Sequence, residues 1–199
     1  MRVAMKRFLM TICLVVLAVS AALAQGKKTV PPPPKPADEG PSLEDTMKFI
    51  QDMVSDIGPV NVVEHIHDDS ADNDWTQLSK YEFTKVVANP GACLINYHWK
   101  TQTSGTVTAD SDFGIFLKDV EDIAVMPMEQ YLKEVVTAAG HPSWSFRVDS
   151  PVFVLKVRRT DSKETNVFDF FDEQLANRVA KAMVHAVELC GGGSTPEPF

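Results

Sequence analysis

VFDFFDEQLANRVAKAMVHAVELCGGG, residues 167–193, sets an apolar strand directly against an amphipathic helix. Asp172 stands where a carboxylate can cap a helix, and Leu175, Val179, Met183, Ala186 and Cys190 then recur on one face. The spacing predicts a helix over 172–190, stopped by three glycines. Ala176, Ala180, Ala182 and Ala186 keep it slim, so it can approach a sheet closely. Just upstream, the β-branched and aromatic runs at 152–159 and 165–171 read as strands separated by the turn Thr160-Asp161-Ser162.

Working outward, further short runs of this kind predict strands near 60–67, 81–87, 92–103, 107–108 leading on to 113–117, and 123–126. Asp72-Asn73-Asp74, Asn89-Pro90-Gly91 and Ser104-Gly105 supply turn chemistry between them. Leu43, Met47, Ile50, Val54 and Ile57 at helical spacing, with Ser42 as cap and Gly58-Pro59 as stop, predict a helix over 43–57. A short helix over 129–139 ends at Gly140, and 141–149 reads as a loop anchored by Trp144 and Phe146. The expected fold is α+β: about seven antiparallel strands in a partly open barrel or strongly bent sheet, with an N-terminal helix and a C-terminal closing helix.

The rest of the chain concerns export. Arg2, Lys6 and Arg7 precede an uncharged apolar run, Phe8 to Ala24, that ends Ala22-Leu23-Ala24, which reads as a Sec-type signal peptide over 1–24. An uncleaved anchor is the competing reading, since the run approaches the length of a membrane span; Ile12 before Cys13 argues against a lipoprotein site. Residues 25–41, QGKKTVPPPPKPADEGP, form a polyproline spacer, 42–190 a single domain, and 191–199 a tail. Loss of the three leader cations takes the net charge from −8 to −11, which excludes nucleic acid as the main ligand and weakens attraction to anionic membranes. A periplasmic or secreted location is expected, with no stable membrane anchoring after cleavage. Of three cysteines only Cys93 and Cys190 then remain, and in an oxidising compartment they are expected to pair; two buried free thiols are the alternative.

IFLKDV at 115–120, followed by Ile123 and Val125, together with VFDFFDEQLANRVAKAMVHAVEL at 167–189, resembles segments of the pleckstrin-homology-like superfold. The first is similar to its strand-turn-strand segment and the second to its last strand and closing helix. The resemblance covers 60–190, and the helix near 129–139 departs from it. It implies a bent antiparallel barrel closed at one end by the last helix, and a binding role rather than a catalytic one. PSL at 41–43, HPSW at 141–144 and ANRVAKAMVHAVELCGG at 176–192 are also similar to a group of small secreted bacterial proteins, a resemblance that brings no activity with it.

Several clusters compete as sites. His65 and His67 fall on one side of a strand, as two zinc-binding imidazoles would, with His98 or Asp68 as further ligands. A polar strand face running into an acidic loop accounts for the same residues. Asp68, Ser70, Asp72 and Asp74 have calcium-loop spacing, but Asn73 and Ser79 replace the required Gly and Glu. There is no Gly-x-Ser-x-Gly elbow, and Ser143 and Ser145 near His141 do not make a hydrolase. Asp110 with Asp112, and Asp119 with Glu121 and Asp122, read as acidic surface. Lys156, Arg158, Arg159 and Lys163 concentrate positive charge in an acidic chain, either as a patch for an acidic protein or an anionic glycan, or as a hairpin edge charged against strand pairing. The reading that results is a non-enzymatic binding or assembly module with no cofactor; the alternative is a metal-dependent enzyme centred on His65 and His67.

Overall fold

β1 (Val60–Asp68) alternates strictly: Val60, Val62, Glu64 and Ile66 turn inward and are buried, while His65 and His67 turn outward. The computed structural model describes residues 40–160 and 165–192, all within the second of two units into which the chain divides, 40–199. Residues 1–24, expected to be a signal peptide, most of the expected proline spacer, Lys163 and residues 193–199 lie outside the described residues.

β1 turns into β2 (Asn73–Asn89) through a loop that Asp68 organises, its Oδ1 accepting from Ser70 N at 3.0 Å, Ser70 Oγ at 2.7 Å and Ser143 Oγ at 2.7 Å. Those bonds hold the Asp68 carboxyl at about 2, below its ordinary range. β2 is paired along its length with β1 and with β3 (Leu94–Thr103), and a bulge between Thr84 and Val87, with Lys85 at φ 51°, bends it. Asn89 Oδ1 accepts from Ala92 N at 3.1 Å in the tight turn into β3. β3 and β4 (Thr106–Phe116) form a hairpin on Ser104 and Gly105, both at positive φ, 49° and 83°, as a two-residue turn of the right twist requires.

The remaining strands are β5 (Val120–Pro127), β6 (Trp144–Val148), β7 (Phe153–Arg159) and β8 (Thr165–Phe170). They complete two antiparallel sheets, β4-β3-β2-β1-β6 and β5-β7-β8, which share no strand pairing and do not close into one barrel. β8 is buried from Asn166 to Phe170, because the larger sheet and the helices cover both its faces.

Three helices complete the described fold: α1 (Leu43–Ser55), α2 (Met128–Ala138) and α3 (Glu173–Leu189). Ser42 Oγ caps α1 and Asp172 Oδ1 caps α3, the latter accepting from Gln174 N at 2.7 Å and Leu175 N at 3.2 Å. Met47, Ile50 and Val54 of α1 and Val179, Met183 and Ala186 of α3 enter one core with the Phe83, Tyr97 and Phe168 rings. A second core gathers Val60, Val62, Met128, Val148, Val154 and Val167 under α2. The Cys93–Cys190 disulfide joins the start of β3 to the C-cap of α3 with Cα atoms 5.9 Å apart, as expected from the sequence.

The α+β class, the antiparallel pairing and the two terminal helices match expectation, whereas the strand map needs three corrections. β2 begins at Asn73, not near 81; its first half carries Gln77 and Ser79 at inward positions, so no apolar alternation marks it. Residues 141–149 hold a strand, β6, too short at five residues to show a period on its own. Cys93 sits in a left-handed turn position, φ 49°, rather than in a strand.

Candidate ligand-binding cup

The polar residues that hide β2 in the sequence have a common destination. The concave face of the larger sheet, roofed by α2 and floored by β8, lines a half-open cavity of about 390 Å³. That volume suits a small organic ligand. Trp75, Trp99, Trp144, Phe146 and Tyr131 supply aromatic walls, and Ser79, Thr101, Thr103 and Thr108 a strip of hydroxyls. At the rim Trp75 and Trp144 meet edge to face at 5.0 Å, and His141 stacks on Trp144 at 4.4 Å.

Two carboxylates stand deep in this cup. Glu64, 1% exposed, accepts from Gln77 Nε2 at 2.6 Å and from the Tyr81 hydroxyl at 2.7 Å. Gln77 is its direct partner across the strand pair, so strand register builds this contact. Asp169, 1% exposed, comes from β8, and its Oδ2 has no hydrogen-bond partner among the described residues. Burial, and then the nearby Glu64 charge, push its carboxyl up to about 7. The indole N–H of Trp99 is likewise buried without a partner. Burial and the Asp169 charge raise the Tyr131 hydroxyl to about 12, and burial with the Glu64 charge raises Tyr81. Among the described lining residues none is Lys, Arg or His.

α2 is fastened over the cup by charge. Lys133 Nζ donates to the carbonyls of Pro142 at 2.6 Å and Trp144 at 2.7 Å, and Lys156 Nζ meets Glu134 at 2.7 Å. This places the cationic cluster read in the sequence: Lys156 braces α2, and Arg158 faces Glu121 at 3.5 Å and Asp122 at 3.9 Å. Arg159 donates to the Gly114 carbonyl at 2.9 Å and lies 6.0 Å from the Phe116 ring centre.

The histidines lie on the opposite, outer face of the sheet. His65 Nε2 meets Asp149 at 2.7 Å and its Nδ1 meets Thr76 Oγ1 at 3.1 Å; His67 lies between Asp69 at 3.1 Å and Asp74 at 2.9 Å. His98 bridges Asp110 at 3.0 Å and Asp112 at 2.8 Å. Both nitrogens of each ring are thus engaged. His98 pairs at Thr84 and His65 at Thr76, about 25 Å apart along β2, so the strands do not bring the three rings to one point. Among the described residues no group of three or more His, Cys, Asp or Glu is arranged to hold a metal ion. The zinc arrangement of His65, His67, Asp68 and His98 is therefore not assembled, and Asp68 is turned to the hydroxyls of Ser70 and Ser143.

The Asp74 hydrogen bond and then the Asp74, Asp69 and Asp72 charges outweigh burial and raise the His67 ring above 6.5. A raised imidazole stabilises the fold below 6.5, and that contribution is lost as pH rises through the higher folded value. Asp74→Asn is expected to bring the His67 midpoint, followed by ring-proton NMR, back toward 6.5; an unchanged midpoint contradicts the assignment.

Glu64 and Asp169 were missed in the sequence, yet each leaves a trace. Glu64 is an acid at an apolar-parity position, between Val62 and Ile66, and Asp169 interrupts the apolar run Val167 to Phe171. Among the described residues no helix is long and apolar enough to cross a membrane. Comparison with family models, with curated proteins and with solved structures returns no match.

Proposed function

We propose that the protein is an exported, non-enzymatic binding module that takes a small ligand into the cup. The observation that carries this reading is the cavity of about 390 Å³ with aromatic walls and two buried, unpartnered polar atoms, Asp169 Oδ2 and Trp99 Nε1. Few buried polar atoms in native interiors go unpaired, and two that line one cavity are met by a ligand that supplies their partners. Export is supported by the leader-like residues 1–24 and by the disulfide. The order of a four-stranded meander, a second meander and a closing helix supports the pleckstrin-homology-like reading; α2 and β6 depart from it. The metal-dependent alternative at His65 and His67 gains nothing from rings already bonded on both nitrogens.

Native mass spectrometry of the mature protein, purified gently from its own compartment, tests this reading. A non-covalent adduct is expected, and it should vanish in Thr108→Trp, which fills the rim from an exposed position. A metal stoichiometric with the chain, together with a turnover abolished by His67→Ala, overturns it.

A further inference from the structure

We infer that the ligand of the cup is an organic cation, an amine carried on an aromatic or similarly flat apolar body, with its ammonium seated between Glu64 and Asp169. The inference rests on the ligand-cup reading above and adds the chemical class. It begins from an imbalance. The deep end of the cup brings together two carboxyls from different sheets, Glu64 of β1 and Asp169 of β8, and among the described lining residues there is no cation to answer them.

Glu64 has two donors, Gln77 and Tyr81, which satisfy one lone pair on each of its oxygens. Asp169 Oδ2 has none. An ammonium has three donors and no acceptor, so it complements a pair of carboxyls that is short of donors. A carboxylate ligand would add a third negative group and leave Asp169 Oδ2 unanswered. Once Asp169 has released its proton, a neutral ligand would leave the carboxyl pair uncompensated. Trp99 and Tyr131 line the cup with the carboxyls, and Trp75 and Trp144 stand at its rim, aromatic rings of the kind against which organic cations and flat apolar bodies rest. The Trp99 indole N–H, also without a partner, offers one donor for an acceptor elsewhere on the ligand.

Stability does not explain Asp169. A buried carboxyl with one oxygen left without a donor is destabilising relative to a well-packed apolar side chain, so its place in the core is a cost that binding recovers. The groups facing it are Glu64 from β1, Tyr81 from β2, Tyr97 from β3 and Tyr131 from α2, and none is a cation. A bound ammonium replaces the proton that Asp169 otherwise holds near neutrality, so binding releases a proton.

The test compares three probes of one shape: 2-phenylethylamine, 2-phenylethanol and phenylacetate, titrated calorimetrically and by the tryptophan indole N–H signals. At pH 8 the amine is expected to bind at least about tenfold more tightly than the alcohol, and the acid not at all. Between pH 8 and pH 6 the amine should weaken by about tenfold as Asp169 takes up its proton, with proton release visible as a buffer-dependent heat. Glu64→Gln and Asp169→Asn should each reduce the preference for amine over alcohol, and Asp169→Asn should remove the pH dependence. Equal binding of amine and alcohol at the Trp99 signal overturns the cation assignment and leaves the cup as a ligand site. Preference for phenylacetate does the same. No response of the tryptophan signals to any probe, with the fold intact, overturns the cup reading as well. Should either variant fail to fold, the three probes on the wild-type protein still decide.

Discussion

The double variant Cys93→Ala with Cys190→Ala is expected to melt on the order of 10 °C below the wild-type protein. The disulfide closes a loop of sequence separation 97 that contains every strand from β3 to β8, together with α2 and α3. A cross-link over that length removes unfolded-state freedom worth about 5 kcal/mol in the chain-entropy description. A domain near 150 residues loses roughly 2–4 °C per kcal/mol. The native side of the balance is favourable too, since both cysteines pack at the edge of the main core, where α3 meets the turn before β3. Calorimetry of the wild type with and without reductant, beside the double variant, makes the measurement. A shift under about 2 °C contradicts the assigned contribution, and quantitative thiol labelling of unfolded, unreduced protein contradicts the bond itself.

Asp169→Asn is expected to help the unliganded protein more at pH 8 than at pH 5, by about 3 kcal/mol. The sign follows from the raised carboxyl, about 7 in the fold against an ordinary 3.8. Between these values the folded chain holds a proton that the unfolded chain has released. Wild-type stability from this group is therefore full below 3.8, falls as pH rises toward 7, and stays low above it. Asparagine holds no such proton and lacks the slope. Its amide brings its own burial cost, but equally at both pH values, so the difference between them isolates the carboxyl. Urea unfolding of both proteins at the two pH values measures it. An equal difference at pH 5 and pH 8 places the Asp169 titration outside the fold's energetics.

α1 and α3 were legible because each carries its own signal: a capping side chain, an apolar stripe and a stop. Ser42 with Met47, Ile50 and Val54, and Asp172 with Val179, Met183 and Ala186, need nothing from the rest of the chain to be read. β1 and β3 alternate for the same reason. β6 did not, and neither did the first half of β2. Trp75, Gln77 and Ser79 face inward, but into a cavity rather than a dry core, so the parity that marks a buried strand is blurred where the strand lines the cup.

The site was the least legible part. His65, His67 and His98 are conspicuous in the sequence because histidine and aspartate stand close together along the chain, yet on the outer face His67 and His98 each lie between two carboxylates and His65 between Asp149 and the Thr76 hydroxyl. Glu64 and Asp169 are more than a hundred positions apart, and each looks like an isolated exception to an apolar pattern. By itself the sequence determined the α+β class, the helix ends, the inward parity of β1 and the choice of cysteine partners, because these depend on local periodicity and on elimination. Only the tertiary structure decided that the strands divide into two unclosed sheets, and that a carboxyl from each meets inside one aromatic cup. The physical reason is that burial and electrostatic coupling belong to neighbours in space: Asp169 becomes exceptional only once β8 lies beneath the concave face that carries Glu64.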